Sequence, residues 1–188
     1  AAGKSMNPFG FLATGRLRIR PLVMGDLEPF FRYRSLPEVC RYQSWQPASI
    51  GEAAAFIAQN EAVVPDTPDT WLQLAVCRQD GQLIGDLGVH FLADGQVEIG
   101  YTIDPAYQGH GYAVEALRAL VEDLFNRLGK HRITASVDPE NGRSIRLLER
   151  IGFRQEAHFR QSFFSGGQWH DDCVYALLAD EYQSRPSR

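Results

Sequence analysis

The chain has 188 residues and a formal net charge of −4, enough length for one domain with its own core and the wrong sign for a main partner made of nucleic acid. Its apolar runs fall far short of the roughly 20 residues that span a bilayer, and the N-terminus lacks the basic-then-apolar pattern of a cleaved signal. Cys40, Cys77 and Cys173 are widely spaced with no CxxC, which argues against a disulfide framework or zinc ribbon and for reduced thiols in a cytoplasmic protein.

Gly3-Lys4-Ser5 has the ending of a P-loop, but neither the earlier glycine nor the preceding strand. Met6 is the expected natural start. Residues 1–13 are expected to be a tail, partly left over from cloning, and 14–188 a single domain. "RLRIRPL", Arg16 to Leu22, alternates and predicts a strand. "GDLEPFFRYR" predicts a helix with Asp26 as cap and Pro29 in the first turn. "SIGE", Ser49 to Glu52, is a capping-box pattern ahead of another helix. Asp80-Gly81 and Asp94-Gly95 are hairpin signals. They separate strands near Trp71–Arg78, Leu83–Leu92 and Gln96–Ile103. Val114, Leu117, Val121, Leu124 and Leu128 mark one face of a helix that Gly129 ends. "RITASV", Arg132 to Val137, is a short strand, and "NGRSIRLLER" a helix stopped by Gly152. Two closing strands flank Ser165-Gly166-Gly167. The count is seven strands in one mixed, mostly antiparallel α/β domain, without repeats or linkers.

The chemistry starts at "DPAYQGHGYAVEAL", Asp104 to Leu117. Bare backbone at a helix mouth holds anions, because the first amides lack intrahelical partners and the dipole is positive there. Three readings compete: a plain tight turn, a dinucleotide fingerprint, and a pyrophosphate cradle. The fingerprint lacks its third small residue, since Val114 stands there, and its acidic ribose partner near 129–132. The cradle is favoured.

"QGHGYA" fits Q/R-x-x-G-x-G/A through Gln108, Gly111 and Ala113. With "RLRIRPL", "EIGYTIDP" and "NGRSIRLLERIGF" in the right order, the chain resembles the GNAT acetyltransferases, in particular their Rim-type branch of ribosomal-protein N-terminal acetyltransferases. The resemblance runs from about Arg16 to Tyr182. It implies a single-domain GNAT fold, helices on both faces of the sheet and two splayed central parallel strands. It also implies acetyl-CoA as donor, no metal, and direct transfer to a primary amine on a peptide, a protein N-terminus or a small molecule. A degenerate domain that binds acyl-CoA or a partner protein without turnover is the rival. A nucleotide-binding regulatory domain is a third reading, opposed by the missing P-loop lysine. Neither nucleic acid nor membrane is expected as a partner, and a monomer or a homodimer suits the reading.

The resemblance also assigns residues. Gln108, Gly109, His110, Gly111, Tyr112 and Ala113 would hold the cofactor's phosphates. Tyr101, Thr102 and Ile103 would present backbone to the thioester, with an N–H for the oxyanion; plain sheet pairing is the other account of these three. Asn141 is an N-cap and a pantetheine contact at once. Ser144, in N-x-x-S, is the candidate acid or thiolate hydrogen-bond donor, since Leu148 occupies the slot where many relatives carry tyrosine. Glu98 is the candidate base, with a structural sheet carboxylate weighed equally. Arg143 and Arg146 are candidates for the 3′-phosphate, or a solvated face. For the acceptor, Trp45, Trp169 and Asp171 lead a set that includes Tyr42, Trp71, Asp66, Asp69 and Asp172. Aromatic walls with an acidic rim suit a cationic amine; core tryptophans and loop-ending aspartates are the plainer account.

Overall fold

The computed structural model describes residues 10–185. Gly3-Lys4-Ser5, Met6 and most of the expected tail lie outside them. The strands are β1 (Leu12–Ala13), β2 (Leu17–Pro21), β3 (Thr70–Arg78), β4 (Leu83–Phe91), β5 (Gln96–Ile103), β6 (Arg132–Val137), β7 (Arg154–Ser165) and β8 (Gln168–Leu178). The helices are α1 (Leu27–Arg34), α2 (Pro37–Cys40), α3 (Ile50–Glu61), α4 (Tyr112–Glu122), α5 (Gly142–Ile151) and α6 (Ala179–Gln183). One sheet runs β1-β2-β3-β4-β5-β6-β8-β7, antiparallel everywhere except β5 beside β6. The strand added to the expected seven is β1, within the stretch assigned to the tail. It pairs Leu12 with Ile19 and Ala13 with Arg18, after a turn closed by Thr14 N–H donating to Leu17 O at 2.9 Å. No described helix is long and apolar enough to cross a membrane.

Alternation along β3 builds the two layers. Leu72, Leu74 and Val76 join a core with Leu117, Leu120 and Val121 of α4 and Leu148 and Ile151 of α5. Ala75 and Cys77 join a second core with Phe30 and Tyr33 of α1 and Ala53 and Ile57 of α3. Helices therefore cover both faces. The second core encloses a polar knot. Asp86 is fully buried on β4, with Arg34 Nε at 3.1 Å and further contacts from Arg34 Nη2, Tyr33 Oη and Gln73 Nε2. Every charge in it is paired, which is the condition for burying a carboxylate.

Two caps differ from expectation. Asp26 makes no side-chain cap to α1. A 3₁₀ turn, Met24–Asp26, comes first, so the Asp26 carboxylate faces back and accepts from Val23 N–H at 3.0 Å while holding Arg20 at 2.7 and 2.8 Å. Ser49 caps α3 through Glu52 N–H at 3.1 Å, but Glu52 Oε2 reaches Ala48 N–H at 3.3 Å rather than the N-cap amide. At the far end of α4 the backbone widens into a π turn, Asp123–Arg127, before Gly129.

What positions the site is the loss of pairing between β5 and β6. Their parallel register is confined to Gln96↔Arg132, Val97↔Ile133 and Glu98↔Thr134. On its other side β5 stays paired with β4 from Val97 as far as Ile103. The β5 edge beyond Glu98 is therefore open, and a cleft forms there.

Candidate active site

The cleft has a volume of about 1290 Å³ and is lined by Glu98, Gly100, Tyr101, Thr102 and Ile103 of β5, among other residues. The start of α5, the α2 segment and both strands of the closing hairpin supply its walls. Because β5 alternates, its residues divide by face. Val97 and Ile99 enter the core under α4 and α5, and Tyr101 packs against that core. Glu98, Gly100 and Thr102 look the other way. Chemistry on both sides of one strand can meet only where its edge is open.

On the α5 side, the Tyr101 hydroxyl touches Ser144 Oγ and lies 3.2 Å from Ser144 O. Burial pushes the Tyr101 phenol up to about 12, with the Ser144 contact opposing it. Asn141 Oδ1 accepts Ser144 N–H at 3.2 Å, so Asn141 is the N-cap of α5 and fixes the residue that Tyr101 meets. The sequence points only to the Tyr101 backbone; the contact of its side chain with Ser144 comes from the fold. Leu148, in the slot where tyrosine was looked for, is fully buried core.

On the opposite face, Trp71, His90 and Glu98 are successive cross-strand partners on β3, β4 and β5. Trp71 stacks on His90 at 4.5 Å between ring centroids. The next row across β4 and β5 is Gly88↔Gly100, which keeps the floor bare beside Glu98. The Thr102 hydroxyl is buried with no hydrogen-bond partner among the described residues.

The glycine loop stands at the mouth of α4. Asp104 Oδ1 caps the turn Pro105–Tyr107 by accepting Ala106 N–H at 3.0 Å. Gln108 Nε2 donates to Ile103 O at 3.0 Å, and Gln108 Oε1 accepts from Arg143. The loop is thus tied to both β5 and α5. Gly109 and Gly111 have φ of 83° and 78°, a region that disfavours side chains. A Cβ on Gly109 would meet nothing within 4 Å, and one on Gly111 only the Arg16 guanidinium, at 3.5 Å. Arg16 also pairs with Glu115 at 2.9 Å and lies over the Tyr112 ring at 4.4 Å. It places a cation at an amide-rich helix mouth, a second group the motif reading passed over. A smaller cavity of about 570 Å³ opens beside it, with Arg118 and Arg150 on its walls.

The structure gathers Glu98, Tyr101, Thr102, Ile103, Gln108, Ala113, Asn141, Ser144 and Asp171 around one cleft, together with Arg143 and Arg146. It brings neither Trp45 nor Trp169 there. Trp45 stacks on Phe56 at 4.6 Å and Phe30 at 6.3 Å against the second core. Trp169 is 60% exposed and packs on Phe164. Asp171 accepts from Gln161 N–H at 2.9 Å and lies 2.8 Å from His158 Nε2, holding the bulge in β7 where Gln161 has φ of 45°. Asp172 accepts from Ser136, and Asp66 is paired with Lys130. Tyr42, Trp71 and Asp172 do reach the cleft. Gly109, His110, Gly111 and Tyr112 stand at the loop, outside it. Among the described residues no group of three or more His, Cys, Asp or Glu side chains could hold a metal.

The profile of the Acetyltransferase (GNAT) domain matches residues 16–154. The uncharacterized N-acetyltransferase YnaD of Bacillus subtilis is 31% identical over 172 residues, 91% of this chain and 98% of the relative. The ribosomal protein uS5-alanine N-acetyltransferase of Escherichia coli is 36% identical over 84 residues, 45% of this chain and 43% of its own. The crystal structure of a GNAT-family acetyltransferase from Bacillus anthracis matches with a TM-score of 0.83 at 29% identity, over 92% of this chain and 100% of that one. The chain therefore belongs to the GNAT family of acetyltransferases, with ribosomal-protein N-acetyltransferases among its homologues, and is an acetyl-CoA-dependent N-acetyltransferase.

Proposed function

We infer that the enzyme transfers acetyl from acetyl-CoA directly to a primary amine, with Glu98 as base and the Tyr101–Ser144 pair at the leaving group. The observation that carries this reading is the placement of those groups on opposite faces of β5 at its open edge. The residues fit acetyl-CoA. Gly109 and Gly111 offer bare backbone at the mouth of α4 for the pyrophosphate, and the β5 edge beyond Glu98, where β6 no longer pairs with it, offers peptide groups to the pantetheine arm. Acetyl-CoA supplies a thioester, whose carbonyl the amine attacks.

The chain's residues then have three tasks. Glu98 takes a proton from the bound ammonium, because only the neutral amine is a nucleophile. A β5 backbone N–H aimed along the open edge stabilises charge on the carbonyl oxygen, a contribution typically of about 3 kcal/mol. Ser144 Oγ–H donates to the departing thiolate. A phenol near 12 keeps its proton at neutral pH, so Tyr101 serves as a hydrogen-bond donor to Ser144 Oγ, leaving the serine proton for the sulfur. This phenol answers the absence of tyrosine at Leu148 and favours turnover over a binding-only domain.

The acceptor half of the cleft has Tyr42, Trp71 and Phe163 on its walls and Glu38 and Glu98 among its carboxylates. Aromatic surface with negative charge suits a cationic amine on an apolar stem. Thiol release from acetyl-CoA with α-amino peptides, polyamines, aminoglycosides and neutral nucleophiles tests the assignment. A cationic primary amine is expected to lead; a neutral or acidic best acceptor would overturn it.

A further inference from the structure

His90 is held in an unusual setting. Its Nδ1 lies 3.6 Å from Glu98 Oε2 and its Nε2 lies 3.5 Å from Asp69 Oδ1. The Nδ1 atom is buried and has no hydrogen-bond partner among the described residues. The ring is stacked at 15° on Trp71, so tilting its plane away from the two carboxylates would break the stack. Asp69 is held beside it by a backbone kink, with φ of 62° and its N–H donating to Phe91 O at 2.7 Å. Exposure falls steeply along the set: the side chain of Asp69 is 96% exposed, that of Glu98 35% and that of His90 18%.

We propose that His90 is a positioning residue for Glu98, clamped by Trp71 and anchored by Asp69, so that its Nδ1 fixes one carboxylate oxygen and leaves the other facing the acceptor amine. This rests on the reading of Glu98 as base. The physical need is plain. A glutamate has three side-chain torsions, and an unrestrained carboxylate on a bare glycine floor would sample many orientations beside the cleft. A base works when it lies within hydrogen-bond reach of the proton it takes, and small misplacement is costly. A separation of 3.6 Å closes to hydrogen-bond length by a modest rotation of the carboxylate, as happens when a site tightens around its substrate. The groups facing His90 are Asp69 from the approach to β3, Trp71 of β3 and Glu98 of β5; across from Glu98, β6 contributes the uncharged Thr134.

The test is a double-mutant cycle in the full-length enzyme. It compares His90→Ala, Glu98→Gln and their combination with the best amine found, reading kcat, the acceptor KM and acetyl-CoA affinity by calorimetry. His90→Ala is expected to lower kcat about tenfold with acetyl-CoA affinity unchanged, and to cause no further loss on the Glu98→Gln background. His90→Asn, which can return one N–H near the Nδ1 position, should recover part of the loss, which a packing role for the ring would not predict. Unchanged acetyl-CoA affinity also shows that each variant is folded. Losses that add across the cycle, or a normal kcat in His90→Ala beside an impaired Glu98→Gln, would overturn the positioning role alone. A normal kcat in Glu98→Gln would overturn the assignment of the base, and this proposal with it.

Discussion

Gly88 and Gly100 face each other across β4 and β5, and the two positions are not equivalent. A Cβ at Gly88 would lie 3.2 Å from Gln73 and 3.3 Å from Trp71, whereas one at Gly100 would meet nothing within 4 Å. Open space over a strand, next to Glu98 and within the cleft, is where an acceptor stem can lie. Gly100→Leu should therefore fold normally and raise the acceptor KM at least tenfold, with acetyl-CoA affinity unchanged. Steady-state kinetics beside a thermal melt check this; an unchanged acceptor KM would move the acceptor elsewhere.

Gly111 is the N-cap of α4 in a left-handed conformation. Gly111→Asp sets a carboxylate against the pyrophosphate and should weaken CoA binding by more than tenfold, about 1.4 kcal/mol. Gly111→Asn carries the same shape without the charge, and both residues tolerate the backbone. Calorimetry should find Asn close to wild type and Asp far from it. Equal affinities for all three would dismiss the loop as the phosphate site.

Tyr101 and Ser144 form one contact, so their effects should not add. Ser144→Ala and Tyr101→Phe are each expected to lower kcat several-fold with little change in CoA affinity, because a leaving-group interaction is felt mainly in the transition state. The double variant should be no worse than Ser144→Ala alone. Additive losses would mean that the phenol acts by a separate route.

Asp86 is fully buried among Arg34, Tyr33 and Gln73. Burial, with Asp86 next to it, pushes the Tyr33 phenol well above its ordinary range. Asp86→Ala leaves the Arg34 guanidinium uncompensated and should cost about 3–5 kcal/mol. For a chain of this size that is a fall of roughly 10 °C in Tm, which calorimetry would register. A change under 2 °C would show that water or rearrangement replaces the carboxylate.

Glu156 on β7 is held at about 2 by Arg132 of β6 first and then Arg154. A carboxyl depressed in the folded state adds stability above its unfolded value near 4.5, and loses it as pH falls towards 2. Glu156→Gln should therefore lower Tm at pH 7 slightly and flatten its decline between pH 5 and 2, the pair being partly exposed. Parallel Tm-versus-pH curves for the two proteins would remove Glu156 from the acid transition.

Much of this protein is local and was legible in the sequence. Period-2 alternation in "RLRIRPL" and the strands around Asp80-Gly81 and Asp94-Gly95 predicts the meander. The paired glycines at 109 and 111 announce an amide-lined helix mouth, because a positive φ is a property of single residues. Asn141 three residues before Ser144 predicts the cap that the structure contains. None of these signals depends on a distant partner. What only the tertiary structure decided depends on register and packing. Tyr101 reaches Ser144 across 43 positions, and Trp71, His90 and Glu98 form a row only because three strands align in one register; a one-residue slip would send each to the other face. The same dependence settled the tryptophans. Trp45 went to an aromatic stack and Trp71 to the cleft, since burial is decided by the whole set of neighbours a side chain finds, which no stretch of sequence contains.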